Sequence, residues 1–147
     1  MSPLSKAAAE EATNTLANAE KKLNAALHTA HRTDLVAGEL DQAFEGAGNG
    51  INLVVKAFVV ASSRGLRPSA SIDAATQIRA TVRDLRGAGI QGVPDEADLI
   101  WVNSVRNASV HEGTWDDNTD DVEEAVRLGN AMLAAVRRWL RQQGMQS

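Results

Sequence analysis

The sequence predicts an all-α protein, a bundle of four long helices plus one shorter helix in a single domain that spans residues 1–147. Three observations predict it. Apolar residues recur every three or four positions along most of the chain, which is the period of a helix with one buried face. Alanine and aliphatic residues dominate, and aromatic residues make up 3% of the chain. Turns rich in glycine, proline or acidic residues separate the periodic segments.

Composition excludes several classes of protein. The chain has no cysteine, so it has no disulfide framework and no thiolate zinc site, which fits a reducing cytoplasm. We expect no membrane span, because no apolar run approaches the ~20 residues that a span needs. The region from Met1 to Glu11 lacks the apolar segment of a signal peptide. The net charge of −4 argues against non-specific coating of nucleic acid but permits one local basic surface.

The first helix is predicted over residues 5–31. Ser5 suits its N-cap, and Glu10 and Glu11 follow near the positive end of the helix dipole. Lys21 and Lys22 are expected on the solvated face. The side chains expected to be buried form one stripe of leucine and alanine: Ala12, Leu16, Ala19, Leu23, Ala26, Leu27 and Ala30. The many small residues predict a close contact with another helix.

The second helix is predicted over residues 34–63, capped by Thr33 and Asp34. Its apolar positions keep a helical period: Val36, Leu40, Phe44, Ile51, Val54, Val55 and Phe58. Gly46, Gly48 and Gly50 interrupt this pattern, and each glycine weakens a helix interior by ~1 kcal/mol relative to alanine. They predict a kink, a break or the close approach of another backbone. A phosphate-binding loop is not expected, because no strand precedes the glycines and no Gly-Lys-Ser/Thr follows.

A linker over residues 64–69 precedes the third helix, which is predicted over residues 70–87. Its inward positions are Ile72, Ala75, Ile78, Val82 and Leu85. Arg79, Arg83 and Arg86 lie on the other face, at spacings of four and three, and form a candidate RNA-backbone track. The alternative is an ordinary solvated face that Asp73 and Asp84 partly neutralise.

The last two helices follow a glycine-rich turn over residues 87–93. Pro94 suits a first helical position, and the fourth helix runs to about Val110 with Leu99, Trp101, Val102 and Val105 on its buried side. The fifth helix is predicted over residues 121–143, with Asp120 and Glu123 as an acidic capping box. Its apolar stripe is the cleanest in the chain: Val122, Val126, Gly129, Met132, Leu133, Val136, Trp139 and Leu140. Arg137, Arg138 and Arg141 crowd its end, where the dipole favours cations.

Three residues near the end of the fourth helix combine the chemistry needed to cut an RNA backbone without a metal. Arg106 can bind a phosphate through a planar fork of donors, His111 can exchange a proton near neutral pH, and Asn107 can orient either group. On a continuous helix, Arg106 and His111 are separated by about 140° of rotation and ~7.5 Å of rise. A shared site therefore needs a helix terminus, which Gly113 and the polar segment after it predict.

The sequence Arg106-Asn107-x-x-x-His111 resembles the R-x4-6-H signature of the HEPN superfamily, in which a polar residue commonly follows the arginine. The resemblance covers residues 98–115. It implies a small helical bundle that pairs its motifs across a homodimer groove, as in the RNases of toxin–antitoxin and abortive-infection systems. It also implies a metal-independent endoribonuclease with no cofactor, in which His111 acts as general base or acid, Arg106 neutralises the phosphorane and Asn107 positions them. The products would be a 2′,3′-cyclic phosphate and a 5′-hydroxyl.

An acidic zone around the motif favours a different interpretation. It contains Glu112, Asp116, Asp117, Asp120, Asp121, Glu123 and Glu124, with no lysine or arginine among them. These carboxylates would repel RNA and hold His111 protonated. The motif could also be structural, with Arg106 pairing with an acid and His111 capping the helix. The alternative function is thus a catalytically silent helical module that binds a nucleotide or a partner protein, such as an antitoxin.

Overall fold

Five helices build the structure, a computed structural model that describes residues 6–32, 34, 35, 38–62, 74–111 and 119–143, with the backbone alone over residues 105–111. The helices are α1 (Lys6–Ala30), α2 (Glu39–Ser62), α3 (Ala74–Gly87), α4 (Glu96–His111) and α5 (Thr119–Gln142). These described ranges contain no strand. The prediction of an all-α bundle with four longer helices and one shorter helix is confirmed, and the shorter helix is α3, at 14 residues.

Helices α1, α2 and α5 pack side by side around a shared row of small residues. Helix α1 runs antiparallel to α5, since His31 lies beside Glu123 at the start of α5 and Glu20 pairs with Arg137 near its end. It also runs antiparallel to α2, since Arg32, just after α1, pairs with Glu39 at the start of α2, while Leu23 lies against Gly50 further along. The buried positions of α1 are Ala8, Ala12, Leu16, Ala19, Leu23, Ala26 and Ala30. The predicted stripe of α1 is therefore largely buried, as is that of α5, while Lys21 and Lys22 are exposed as expected.

Leu23 of α1 lies against a glycine of α2 and a glycine of α5. Its side chain is fully buried, and a Cβ atom added at Gly50 would lie 3.0 Å from it. A Cβ added at Gly129 would lie 2.5 Å from the Leu23 Cδ2 atom. Helix α2 continues through Gly46, Gly48 and Gly50 without a break. Of the three outcomes predicted for these glycines, the structure shows a close approach, and it occurs at Gly50.

The start of α2 was predicted five residues too early. The helix begins at Glu39, after Gly38, whose φ of +88° favours glycine. Asp34 does not lie in the helix, and its carboxylate instead accepts a hydrogen bond from Arg32 Nε at 3.0 Å. Thr33, Val36 and the linker over residues 64–69 lie outside the described residues. The apolar period alone could not locate this boundary, because residues before the helix continue the same pattern.

Helices α3 and α4 form an antiparallel pair against α2 and the end of α5. The turn between them places Gly92 against the Arg138 guanidinium of α5. From there α4 runs back toward the start of α2, where Trp101 meets Phe44 edge to face at 5.8 Å between ring centroids. The sequence placed Pro94 at the first helical position, whereas α4 begins two residues later, at Glu96. Asp95 precedes it, and its carbonyl accepts bonds from the amides of Asp98 and Leu99.

Candidate functional site

The Arg-Asn-x-x-x-His motif occupies the end of α4, and His111 is the last helical residue. The side chains of Arg106, Asn107 and His111 lie outside the described residues, as do Gly113 and Trp115. These three residues lie in the last two turns of α4. The helix extends to His111, one residue beyond the predicted end at about Val110. Residues 112–118, which include Gly113, lie outside the described residues, so the helix terminus expected beside the motif stays a prediction.

The helix has no break between Arg106 and His111. Their Cα atoms are therefore separated by about 140° around the axis and by ~7.5 Å along it. The backbone of one α4 does not by itself direct both positions to one side. A site that uses both residues needs either the long reach of an arginine side chain or the motif of a second copy of α4.

The residues just before α4 contact a single arginine of α3. Arg86 Nη2 donates to the carbonyl oxygens of Val93 and Pro94 at 3.4 and 3.3 Å, and it pairs with the Asp95 carboxylate at 3.2 Å. These contacts join the end of α3 to the residues just before α4. All three contacts are made by the Nη2 atom, which carries two N–H donors, so the three acceptors share them. Arg86 thus contacts the residues just before α4.

Apolar contacts then hold the first half of α4 in place. Leu99 and Val102 are fully buried, and Ile100 and Trp101 pack partly buried against the core. The Trp101 ring stands nearly perpendicular to that of Phe44, at an interplanar angle of 87°. Edge-to-face aromatic pairs of this kind contribute roughly 0.5–1.5 kcal/mol beyond the area they bury. The motif therefore follows a helical segment that is anchored on α2.

The three arginines of α3 that were predicted to bind RNA are all exposed, but they differ in their partners. Arg86 is engaged with the start of α4. Arg83 Nε lies 3.4 Å from the carboxylate of its neighbour Asp84. Arg79 has no ion pair with any residue that the structure describes. On this helix, Arg79 and Arg83 remain available to a ligand, while Arg86 has a structural contact. Asp95, the partner of Arg86, lies roughly 22 Å from His111, which is about the length of α4.

The described part of the acidic zone is partly neutralised by basic side chains. Glu123 Oε1 lies 3.5 Å from His31 Nε2, and Glu124 forms a bidentate pair with Arg127. The hydrogen bonds from Arg127 hold the pKa of Glu124 below its usual range, and they raise the pKa of Arg127. Glu112, Asp116 and Asp117 lie outside the described residues. The first turns of α5 thus carry less unpaired negative charge than the sequence indicates.

The two histidines at the end of α1 have different surroundings. A helix C-terminus favours cations, so capping is the role that the sequence predicts for histidines at these positions. The His31 amide does close the helix, by donating to the carbonyls of Leu27 and His28. Its ring, however, lies beside Glu123 of α5. His28 is exposed in the last turn of α1. A contact between ends of two helices could not be read from the spacing of residues along one helix.

A second basic region at the end of α5 was not selected from the sequence as a site. Arg137 pairs with Glu20 of α1 at 3.1 Å, whereas Arg138 and Arg141 have no acidic partner among the residues that the structure describes. The sequence reasoning attributed all three arginines to the helix dipole. Their spacing was visible, but the turn and the grooves beside them come from α3, α4 and α1.

The described ranges contain neither a metal-binding cluster nor a membrane-spanning helix. Within the described ranges, no group of three or more histidine, cysteine, aspartate or glutamate residues could hold a metal ion. Among the same residues, no helix combines the length and apolar character needed to cross a membrane. Comparison with protein-family models, with curated proteins and with solved structures finds no match to this chain.

Proposed function

We propose that this chain is a metal-independent endoribonuclease of the HEPN type that acts as a homodimer, as an effector of a toxin–antitoxin or phage-defence system. The observation that carries the proposal is the position of the motif. Arg106, Asn107 and His111 lie at the very end of α4, in an all-α bundle, before the last long helix. A helix end is where an arginine and a histidine five residues apart are least constrained to opposite sides.

The proposed reaction is a transesterification followed by release. A His111 imidazole accepts the proton of a ribose 2′-hydroxyl, and the 2′ oxygen attacks the adjacent phosphorus. The bond from phosphorus to the 5′ oxygen breaks, and that oxygen receives a proton from an imidazolium. Arg106 would neutralise the charge on the phosphorane, and Asn107 would orient the groups. Such proton transfer typically accelerates a reaction 10²–10⁴-fold. The products are a 2′,3′-cyclic phosphate and a 5′-hydroxyl.

Cleavage of labelled RNA in EDTA by the wild-type protein and by His111→Ala tests this proposal. We expect the wild type to cut and His111→Ala to lose activity by at least 10²-fold. His28→Ala is the matched control, because His28 is an exposed helix-end histidine that should be dispensable. If both variants still cut RNA at the wild-type rate, a contaminant or another site is responsible. A wild-type protein that neither cuts RNA nor slows growth when expressed contradicts the proposal.

A homodimer in which each site takes Arg106 from one subunit and His111 from the other would solve the spacing problem on α4. Mixing Arg106→Ala with His111→Ala then creates heterodimers with one intact site. After random exchange of subunits, about a quarter of the wild-type rate should return, since half of the dimers carry one of two sites. No recovery after verified exchange would place both residues of a site in one subunit. A monomer at micromolar concentration would contradict the shared groove.

The uninterrupted helix between Arg106 and His111 also supports the second candidate function, a catalytically silent module that binds a nucleotide or a partner protein. In that case the two side chains need not converge. The silent module predicts that wild type and His111→Ala are equally inactive toward RNA. It also predicts that the protein co-purifies stoichiometrically with a product of a neighbouring gene, such as an antitoxin.

A further inference from the structure

Three shallow grooves meet at the last two turns of α5, and Arg141 lines all of them. One groove, of about 590 Å³, lies between α5 and the first half of α1. The second, of about 440 Å³, lies against the turn from Gly89 to Gln91. The third, of about 530 Å³, runs along α5 itself, past Glu20 and Asn130. Arg137 and Arg138 each line two of the three grooves.

Two of the three arginines in these grooves lack the acidic partner that most of the described arginines have. Five of the eight arginines whose side chains are described form an ion pair with a carboxylate: Arg32, Arg83, Arg86, Arg127 and Arg137. Arg138 and Arg141 form none with the described residues. The Arg138 Nε atom is moreover shielded from solvent and makes no hydrogen bond to a described residue. A buried guanidinium nitrogen without an acceptor is costly, so a ligand that draws the Arg138 side chain outward to an acceptor would be favoured.

The turn before α4 is shaped around this guanidinium. Gly92 has a φ of +77°, and a Cβ atom at its position would lie 3.3 Å from Arg138 Nη2. Any larger residue would strain the backbone and press on the arginine. The negative end of the α5 dipole explains why cations are tolerated at this helix end. The dipole does not explain why the Arg138 guanidinium lies against Gly92 while its Nε donor makes no hydrogen bond to a described residue.

We propose that Arg138 and Arg141 form a binding surface for the sugar-phosphate backbone of RNA at the end of the bundle opposite to the Arg106/His111 motif. The inference rests on the proposed ribonuclease function, because it assigns the part of the substrate that extends beyond the cleaved bond. The surface lies beside the turn that leads into α4. His111 is the last residue of α4 and is therefore roughly 22 Å away along that helix.

The shape and chemistry of the surface favour a chain of phosphates over a small ligand. Small-molecule sites enclose most of their ligand, whereas these grooves are open and continue into one another at Arg141. Guanidinium groups bind phosphate in a bidentate manner, and their positions three residues apart place both on one side of α5. With a net charge of −4, the chain can attract RNA only where its cations are concentrated.

The test is RNA affinity by fluorescence anisotropy over a range of salt concentrations, with every variant made in the full-length His111→Ala background so that RNA stays intact. We expect Arg138→Ala/Arg141→Ala to weaken binding at least 10-fold at low salt. The salt dependence should fall by about 1.4 in log–log slope, which corresponds to two phosphate contacts on a single strand. The matched control is Lys21→Ala/Lys56→Ala, which removes the same charge from exposed positions of α1 and α2. It should leave the slope nearly unchanged.

Two further arms keep the outcome decisive. Arg141 is exposed, so Arg141→Glu probes the surface without disturbing packing and should weaken binding even if the double variant folds poorly. Polyglutamate at matched charge should not displace the RNA, and equal displacement would assign the surface to acidic proteins and overturn the inference. Affinities and slopes equal to those of the lysine control would also overturn it. Because binding is measured without cleavage, inactive wild-type protein would refute the nuclease and leave this result intact.

Discussion

The trio of α1, α2 and α5 and the pair of α3 and α4 are held together in different ways. Twelve residues of α2 are buried, about half of that helix, but only four of α3. Within the trio, Leu23 fills the space that Gly50 and Gly129 leave, so the helices fit closely. The pair depends on a few apolar side chains and on the polar contacts of Arg86. Helix α3, which packs beside the helix that carries the proposed motif, therefore buries a smaller share of its residues than α2.

The largest contrast should appear when one leucine of each region is shortened. Leu23→Ala and Leu99→Ala both remove a fully buried side chain and should lower the free energy of unfolding by ~2–5 kcal/mol. We expect Leu23→Ala to be the more costly, because the glycines beside it have no side chains that could move into the cavity. Urea denaturation measures both. A greater loss for Leu99→Ala would show that the pair is the better packed region.

Adding one methyl group to the trio should be the next largest effect. A Cβ at Gly129 meets Leu23 and Ile51, so Gly129→Ala should destabilise the fold by ~1–3 kcal/mol despite its better helix propensity. Gly46→Ala is the matched control, since no atom lies within 4 Å of a Cβ there. It should stabilise α2 by up to ~1 kcal/mol. If thermal unfolding shows both variants to be more stable, the close fit at Leu23 is wrong.

A smaller effect of opposite sign is expected in the pair. Thr81 of α3 is 1% exposed, and its hydroxyl makes no hydrogen bond to a described residue. Thr81→Val keeps the shape and removes the unsatisfied group, so it should raise the free energy of unfolding by ~1 kcal/mol. Thr81→Ala, which also removes the hydroxyl but leaves a void, should gain less or lose stability. Destabilisation by valine would reveal an acceptor for the hydroxyl.

The smallest effect concerns the acidic start of α5. Arg127 lowers the pKa of Glu124 in the folded chain, so the pair stabilises the fold above the unfolded pKa of this carboxyl and ceases to do so as acid protonates it. Because both side chains are substantially exposed, Glu124→Gln should cost only ~0.3–0.5 kcal/mol at neutral pH. The difference from wild type should begin to shrink as the pH falls through the ordinary glutamate pKa of about 4.3, and it should vanish below the lowered pKa of the folded state. Arg127→Gln should show the same pH profile, and a loss that persists in acid would assign the effect to packing.

The buried stripes were easier to predict than the starts of the helices, for a physical reason. The buried faces of α1 and α5 follow a simple helical period, and their predicted stripes agree with the buried residues. The first turns of α2 and α4 were misplaced, because Gly38 and Asp95 act through backbone dihedral angles and local bonds that periodicity does not encode. For the candidate site, the sequence supplied the motif, but not the contacts that Arg86 makes with the residues just before α4.

The sequence by itself determined the helical class, the buried stripes and the chemistry available to Arg106 and His111, since these depend on residue type and spacing along one helix. Only the tertiary structure decided that the Leu23 side chain fills the space beside Gly50 and Gly129. It also decided which arginines have an acidic partner. Arg86 pairs with Asp95 just before α4, whereas Arg138 and Arg141 have no acidic partner among the described residues. The physical reason is that a steric fit or an ion pair between helices depends on the position of the second helix, and no local pattern specifies that position.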